Sequence, residues 1–283
     1  MNVDVTNMIV KDRIGIAKNL NTPVDVLVQL ATDIDYVVRW YVAQNPNTPV
    51  DVLVDVLVQL STNENSDIRG GVAQNPNTPV NVLVQLSTDE DSDVRMYVAE
   101  NPNTPVDVLV QLSTDIDSDV RGGVAENPNT SVDGLVRLST DEDSSVRGGV
   151  AQNPNTPVDV LVKLSTDGDW VREYVAQNPN TPVDVLLQLL TDERSWVRQS
   201  VARNPNTPVE VLVKLSSSPN YHIRQGVALN PNTPVDVLVQ LSSDKECSVR
   251  WSVAQNANTP MDVLRMLSQD SNLIVREFAQ ALI

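Results

Sequence analysis

The stretch VAENPNTPVDVLV at residues 98–110 places two prolines within four residues, between two apolar segments. Proline lacks a backbone N–H, and it disfavours helical geometry in the residue before it. The Asn-Pro step therefore predicts that one helix ends near Asn101. The Thr-Pro step predicts that another helix begins there, because threonine is a common N-cap and proline is accepted at the first helical position.

The same punctuation recurs along the chain, which contains eight Asn-Pro and nine Thr-Pro steps. An arginine stands six residues before each of these segments, and consecutive arginines are 26 residues apart except for one interval of 30 and one of 25. The long interval contains a second DVLV at residues 50–60, and the short one has lost a residue around residues 167–169. This periodicity predicts a stacked solenoid. We expect one domain over residues 1–283, with about ten units of ~26 residues and partial units at both ends.

Each unit is predicted to contain two helices. The first runs from Thr-Pro to about Leu112, and Asp107 favours its positive N-terminus. The second begins near the DSD segment at residues 117–119, where aspartate caps the helix, and Val120 and Val124 share its buried face. A strand remains an alternative for the first element, because VDVLVQL alternates and valine favours strands. That alternative corresponds to a leucine-rich-repeat or β-solenoid array.

The repeated residues resemble the leucine-rich repeat variant family. The pattern V-R-x-x-V-A-x-N-P-x-T-P-x-x-x-L-x-x-L-x-x-D occurs here as VRMYVAENPNTPVDVLVQLSTD at residues 94–115, and it covers nearly the whole chain. The resemblance implies an all-α, right-handed solenoid of alternating α-helices and short or 3₁₀-helices, with no sheet. Some family members carry a cysteine-ligated iron–sulfur module ahead of the repeats. That feature is not carried over, because Cys247 is the only cysteine.

The charge and composition exclude several classes of protein. The formal net charge of −17 repels nucleic acid and anionic membranes, so neither is expected as a direct partner. No apolar run reaches the roughly 20 residues of a membrane-spanning helix. The first residues lack a signal-peptide pattern, and the single cysteine allows no intrachain disulfide, so a cytoplasmic location is expected.

Catalytic and metal-binding patterns are absent from the sequence. The single histidine, His222, and the single cysteine lie in different repeats and cannot form a nucleophile–base pair in several units. We therefore expect no enzyme activity, no catalytic residue and no cofactor. A HEAT-like bilin lyase remains the enzymatic alternative, on the weaker similarity of D-x-D-x-x-V-R. Acidic loops such as DEDSD at residues 89–93 lack the glycine and glutamate of an EF-hand, so helix capping is favoured over calcium binding and no metal site is predicted.

Variation between the repeats is concentrated around the repeated arginine. All ten aromatic residues lie between three residues before and two residues after that arginine. At the position two residues after it, successive repeats have Tyr41, Gly71 and Tyr97. A packed interior would not tolerate a change from tyrosine to glycine without a cavity. A solvent-facing stripe is therefore favoured over packing between repeats. Positions four apart, such as Trp170 and Tyr174, share one helical face.

This variable face predicts a non-enzymatic scaffold that binds a partner protein or peptide. The predicted partner-binding residues are Trp40, Tyr41, Tyr97, Trp170, Tyr174, Trp196, Tyr221, His222 and Trp251. The alternative is an acidic nucleic-acid mimic that binds a DNA- or RNA-binding protein. The repeated arginine is expected to bond carboxylates or loop carbonyls internally rather than to form a basic stripe. Self-association through the C-terminal end is also expected, because Phe278, Leu282 and Ile283 are apolar.

Overall fold

The chain folds into helices, and many of their boundaries lie at the predicted Asn-Pro and Thr-Pro steps. A computed structural model of the chain describes Val5 and residues 8–168 and 170–283, and within these residues all regular elements are helices. Asp169, in the segment where the short interval has lost a residue, lies outside the described residues. The structure divides into two units, one ending at Leu138 and the other spanning Ser139–Ile283. The same repeat occurs in each unit, and a single solenoid over residues 1–283 stays a prediction.

The helices of the two units have these bounds. The first unit contains α1 (Val10–Lys18), α2 (Val24–Leu30), α3 (Tyr36–Gln44), α4 (Val50–Leu60), α5 (Ser66–Gln74), α6 (Val80–Leu86), α7 (Ser92–Glu100), α8 (Val106–Leu112), α9 (Ser118–Glu126) and α10 (Val132–Leu138). The second unit contains α11 (Ser144–Gln152), α12 (Val158–Leu164), α13 (Val171–Gln177), α14 (Val183–Leu189), α15 (Ser195–Arg203), α16 (Val209–Leu215), α17 (Tyr221–Leu229), α18 (Val235–Leu241), α19 (Cys247–Gln255), α20 (Met261–Leu267) and α21 (Leu273–Gln280).

Long helices of mostly nine residues alternate with short helices of mostly seven, which confirms the expected alternation. The short helices are α-helical: in α8, Leu109 N donates to Pro105 O at 3.0 Å and Ser113 N donates to Leu109 O at 2.9 Å. Spacing of the 3₁₀ type is confined to their ends, as where Asp115 N donates to Leu112 O at 3.0 Å. The strand alternative is wrong for the described residues, because all of the VDVLVQL segments are helices.

The long helices begin and end as the sequence predicts. Asp117 caps α9, since its carboxylate accepts a hydrogen bond from Asp119 N at 2.9 Å. Helix α7 ends at Glu100, directly before the Asn-Pro step. The predicted role of threonine as N-cap of the short helix is wrong. The buried Thr104 hydroxyl instead donates to Val98 O, a carbonyl in the last turn of α7, and α8 follows Pro105 without a side-chain cap.

The core of each unit lies between the long helices and the short helices. Long helices of consecutive repeats pack side by side, and each short helix packs against the long helices beside it. The short helices contribute the largest buried side chains, such as Leu109 and Leu112, while the long helices contribute Val120, Val124 and Ala125. Burial of each leucine is worth roughly 2 kcal/mol. Among the described residues, no helix is both long enough and apolar enough to cross a lipid bilayer.

Candidate functional site

The repeated arginine forms an internal ladder of ion pairs. Arg95 Nε donates to Asp115 Oδ2 at 2.7 Å and Arg95 Nη2 donates to Asp115 Oδ1 at 2.9 Å, so the two side chains form a bidentate pair between adjacent repeats. Arg95 Nη1 also donates to Asp89 O at 2.8 Å. The same pairing joins Arg13 to Asp33, Arg69 to Asp89, Arg147 to Asp167, Arg172 to Asp192, Arg224 to Asp244, and Arg250 to Asp270. The prediction of internal pairing is confirmed at these positions.

The ladder is interrupted where the sequence does not supply the aspartate. Asn63 takes that position beside Arg39: its Oδ1 accepts from Asn65 N at 3.0 Å, as Asp89 Oδ1 accepts from Asp91 N. An asparagine has only one side-chain oxygen, and its amide nitrogen cannot accept a hydrogen bond. Arg39 Nε is accordingly buried without a hydrogen-bond partner among the described residues.

Asparagine side chains link the repeats at the C-terminal ends of the long helices. Asn101 Nδ2 donates to Ala73 O at 2.6 Å and to Asn75 O at 3.0 Å in the preceding repeat. Its Oδ1 accepts from Asn103 N at 2.9 Å. The alanine carbonyl of the preceding repeat accepts an equivalent hydrogen bond from the asparagine Nδ2 of Asn45, Asn127, Asn178, Asn204, Asn230 and Asn256. The Asn-Pro loop is therefore structural, as predicted.

Ion pairing also sets the protonation of the ladder carboxylates. Hydrogen bonds from Arg95 lower the pKa of Asp115 below its ordinary value and outweigh the partial burial that raises it. Hydrogen bonds from Arg147 lower the pKa of Asp167 in the same way. These carboxylates are therefore ionised and occupied by arginine, so they are structural rather than functional groups.

The predicted partner-binding residues differ in exposure. Trp170, Trp196, Tyr221 and His222 are exposed, with 61% of Trp170 and 42% of Trp196 accessible. All four lie in the second unit. The remaining predicted residues are half-buried, so they face solvent only in part. They are Trp40, Tyr41, Tyr97, Tyr174 and Trp251.

Glycines explain the burial of several of these rings. A Cβ atom added to Gly71 would overlap the indole of Trp40, and one added to Gly70 would lie 3.0 Å from Tyr97 Cδ2. In the second unit, a Cβ on Gly148 would lie 3.2 Å from Tyr174 Cδ2. Each ring fills space that glycine leaves in a neighbouring repeat. The exchange of tyrosine for glycine thus conserves volume between repeats, and it does not require an exposed face.

The exposed rings of the second unit form a surface that crosses repeats. The Trp170 and Trp196 rings are stacked with centroids 6.4 Å apart and planes at 24°. The guanidinium of Arg194 lies 5.7 Å from the Trp196 ring centroid. The Tyr221 and His222 rings lie 3.9 Å apart in the following repeat. Trp251 instead packs edge-on against Phe278, with centroids 6.0 Å apart.

In the first unit, two aromatic side chains and Gly71 line a cleft. Trp40 and Tyr97 line it from the two neighbouring repeats, and Gly71 lies between them. Asp67 and Asp93 also line it, and its volume is about 160 Å³. The cleft therefore combines two aromatic side chains with two carboxylates. No sequence pattern predicted it, because its walls come from residues 57 positions apart.

A second exposed surface was missed in the sequence analysis. The first and fifth residues of the short helices are exposed apolar side chains; in α8, Val106 and Val110 are 49% and 48% accessible. The other members are Val24, Val28, Val80, Val84, Val132, Val136, Val158, Val162, Val183, Leu187, Val209, Val213, Val235 and Val239. The signal was present, since a helical wheel of VDVLVQL separates these positions from the buried Val108, Leu109 and Leu112.

No metal centre is formed by the described part of the chain. Nowhere in residues 8–168 and 170–283 do three or more His, Cys, Asp or Glu side chains lie where they could hold a metal ion. The aspartates of the acidic loops cap the long helices, as Asp91 does by accepting from Asp93 N at 3.0 Å.

Comparison with known proteins gives the following relatives. The family described as "Leucine rich repeat variant" matches residues 93–117, 119–143, 145–169, 170–194, 196–220 and 221–246, which is more than half of the chain. A solved structure described as "a leucine-rich repeat variant with a novel repetitive protein structural motif" is 27% identical over 78% of this chain and 88% of its own, with a TM-score of 0.48. A solved engineered protein is 21% identical over 95% and 93%, with a TM-score of 0.30. No curated protein matches the sequence.

Proposed function

Because the chain belongs to the leucine rich repeat variant family, we propose that it is a non-enzymatic scaffold that binds a protein or peptide partner on the variable side chains of its long helices. The observation that carries the proposal is the pair of exposed, stacked tryptophans, Trp170 and Trp196. Large exposed aromatic side chains are the residues that most often dominate the affinity of a protein interface. The position that these two tryptophans occupy varies between repeats, whereas the arginine and asparagine hydrogen bonds around them recur in nearly every repeat.

Two observations favour this surface over an acidic mimic of nucleic acid. The ladder aspartates are neutralised by arginine, as in the pair of Arg224 Nε with Asp244 Oδ2 at 2.6 Å, so part of the regular negative charge is occupied internally. The exposed rings also have no role in mimicking phosphates. A cytoplasmic location is part of the proposal, because the exposed lone Cys247 requires no oxidising compartment.

Self-association is a further part of the proposal. Leu273 and Ile274 of α21 are exposed, as are Leu282 and Ile283, and together they offer an apolar surface to a second copy. Light scattering over a concentration series should show growth in mass that Ile274→Asp reduces. A constant monomer mass at high concentration would contradict this part.

The scaffold function is tested by selecting peptides from a random display library on the whole chain. Peptides that bind should lose about 30-fold or more in affinity when Trp170 and Trp196 are both changed to alanine, since hot-spot aromatics contribute about 2 kcal/mol or more. The matched control changes Val158 and Val162 of α12, exposed apolar residues in the same unit, to alanine. Circular dichroism checks that both variants are folded.

Two results would refute the proposed surface. One is that no selected peptide depends on the two tryptophans. The other is that the valine control lowers affinity as much as the tryptophan variant, because binding would then follow exposed apolar area in general.

A further inference from the structure

We propose that the cleft between Trp40 and Tyr97 binds one lysine side chain of a basic peptide segment. This inference rests on the proposed scaffold function and gives it a specificity. The cleft lies wholly within the first unit. Trp40, Gly71 and Tyr97 line it, and the Trp40 indole lies directly over Gly71, so the free volume of the cleft is the space beside that indole.

The chain itself shows how such a cation binds. Lys18 Nζ lies 4.1 Å from the centroid of the Tyr41 ring, in a cation–π contact. Lys18 stands five residues after its repeated arginine, and Tyr41 stands two residues after the next one. Gln74 and Tyr97 occupy the same two positions in later repeats, and both line the cleft. At Tyr97 the ring is thus retained, while the chain's own cation is replaced by a neutral amide.

The charge of the cleft selects a cation. Asp67 and Asp93 bring two carboxylates to it, and the chain has a formal net charge of −17. Glu100 and Glu126 occupy the position of Gln74 in the next two repeats, so two further carboxylates stand in the same row of the long helices. Carboxylates beside aromatic rings strengthen the attraction for an ammonium group and repel an anion.

The size of the cleft fits the end of a single side chain. Its volume of about 160 Å³ is close to that of a cavity that holds one benzene-sized molecule, about 150 Å³. A lysine carries a compact ammonium on a flexible stem, so it can enter between two rings while the peptide backbone stays outside. The cation that lies over Tyr41 within the chain, Lys18, is also a lysine.

The test uses two capped glycine–serine peptides that differ only at three positions, which hold lysine in one and N-acetyl-lysine in the other. Each is titrated into the whole chain at physiological salt, and the indole N–H signal of Trp40 is followed by nuclear magnetic resonance. The lysine peptide should shift this signal and bind about tenfold more tightly than the acetylated one, because acetylation removes both the cation–π contact and the attraction to the carboxylates.

Matched variants separate the cleft from general electrostatic attraction. Gln74→Lys places an internal ammonium next to Tyr97, as Lys18 is placed next to Tyr41, and should weaken lysine-peptide binding about tenfold. Gln111→Lys adds the same charge on the short helix α8 and should weaken it by less than about twofold. Lys18→Gln should create a second lysine-responsive site, reported by new shifts at Tyr41.

Three results would overturn the inference: equal binding of the two peptides, an equal effect of Gln74→Lys and Gln111→Lys, or an unshifted Trp40 signal. The scaffold proposal is judged separately. If display-selected peptides depend on Trp170 and Trp196 while the lysine peptide fails these criteria, the scaffold stands and the lysine cleft does not. If the lysine peptide meets them while no selected peptide depends on the tryptophans, the cleft stands alone.

Discussion

Arg39 and Arg95 show how one atom in a neighbouring residue changes the state of a buried guanidinium. Arg95 has a carboxylate for both Nε and Nη2, whereas Asn63 takes the equivalent position for Arg39, and Arg39 Nε has no partner among the described residues. Both arginines retain the bonds from Nη1 to loop carbonyls. The difference therefore comes from the oxygen that asparagine lacks.

Asn63→Asp should raise the free energy of unfolding by about 1–2 kcal/mol, because a carboxylate supplies Arg39 Nε with a charge-assisted acceptor. Asp115→Asn should lower it by about 1–3 kcal/mol, since Arg95 then keeps a largely buried charge without its partner. The measurement is the urea midpoint of each variant. Asp119→Asn, at an exposed position in the same loop region, is the control for the loss of one negative charge. A stabilisation by Asp115→Asn would contradict the role of the ladder.

At the scale of the element, the close packing of α17 against α15 depends on a small residue two positions after the arginine of α17. Gly226 is buried there, and a Cβ on Gly226 would lie 2.9 Å from the backbone oxygen of Gln199 in the preceding repeat. Gly122 stands one position earlier in its own helix, and a Cβ there would meet nothing within 4 Å. The two glycines therefore have different reasons to be present.

Gly226→Ala should lower the melting temperature, because the added methyl group meets backbone that cannot move independently of α15. Gly122→Ala should raise stability by about 0.5–1 kcal/mol, because alanine favours the helix and has open space. Thermal unfolding of the two variants beside the parent chain measures both effects. Equal stabilisation by the two substitutions would show that the long helices are not in close contact at residue 226.

The sequence predicted the helix boundaries that depend on backbone chemistry. Asp117 and Asn101 behave as expected because capping and proline exclusion act within a few residues. The role of Thr104 was wrong, since a threonine hydroxyl can bond either the helix behind it or the one ahead. The burial of Tyr97 was also missed, because its volume is balanced by Gly70 in another repeat. Such compensation of volume depends on packing between neighbouring repeats, so it leaves no short-range pattern in the sequence.

At the scale of the whole molecule, the arginine–aspartate pairs make the stability of the folded chain depend on pH in the same direction. Hydrogen bonds from arginine lower the pKa of Asp115, Asp167 and Asp270 in the folded chain, ahead of the burial that raises it. A carboxyl whose pKa is lower in the folded state stabilises that state above its unfolded pKa. This stabilisation is lost as pH falls through the folded value.

The free energy of unfolding should therefore stay nearly constant from pH 7 to about 5 and fall below about pH 4, near the pKa of an aspartate in the unfolded chain. Urea titrations monitored by circular dichroism across this range measure it. Asp115→Asn should decline less steeply with acid, since one of the titrating pairs is gone. A chain that becomes more stable at pH 3 would contradict this account.

The bond from Asn101 Nδ2 to the carbonyl of Ala73 has a consequence for how such a chain lengthens. Every 26-residue segment carries both halves of the junction, the amide that reaches back and the carbonyl that the next copy will use. An in-frame duplication by recombination would therefore supply a new copy already matched at both of its ends. Copies can then diverge on the outer side of the long helix while their junctions stay interchangeable, so the number of repeats and the chemistry displayed can evolve separately.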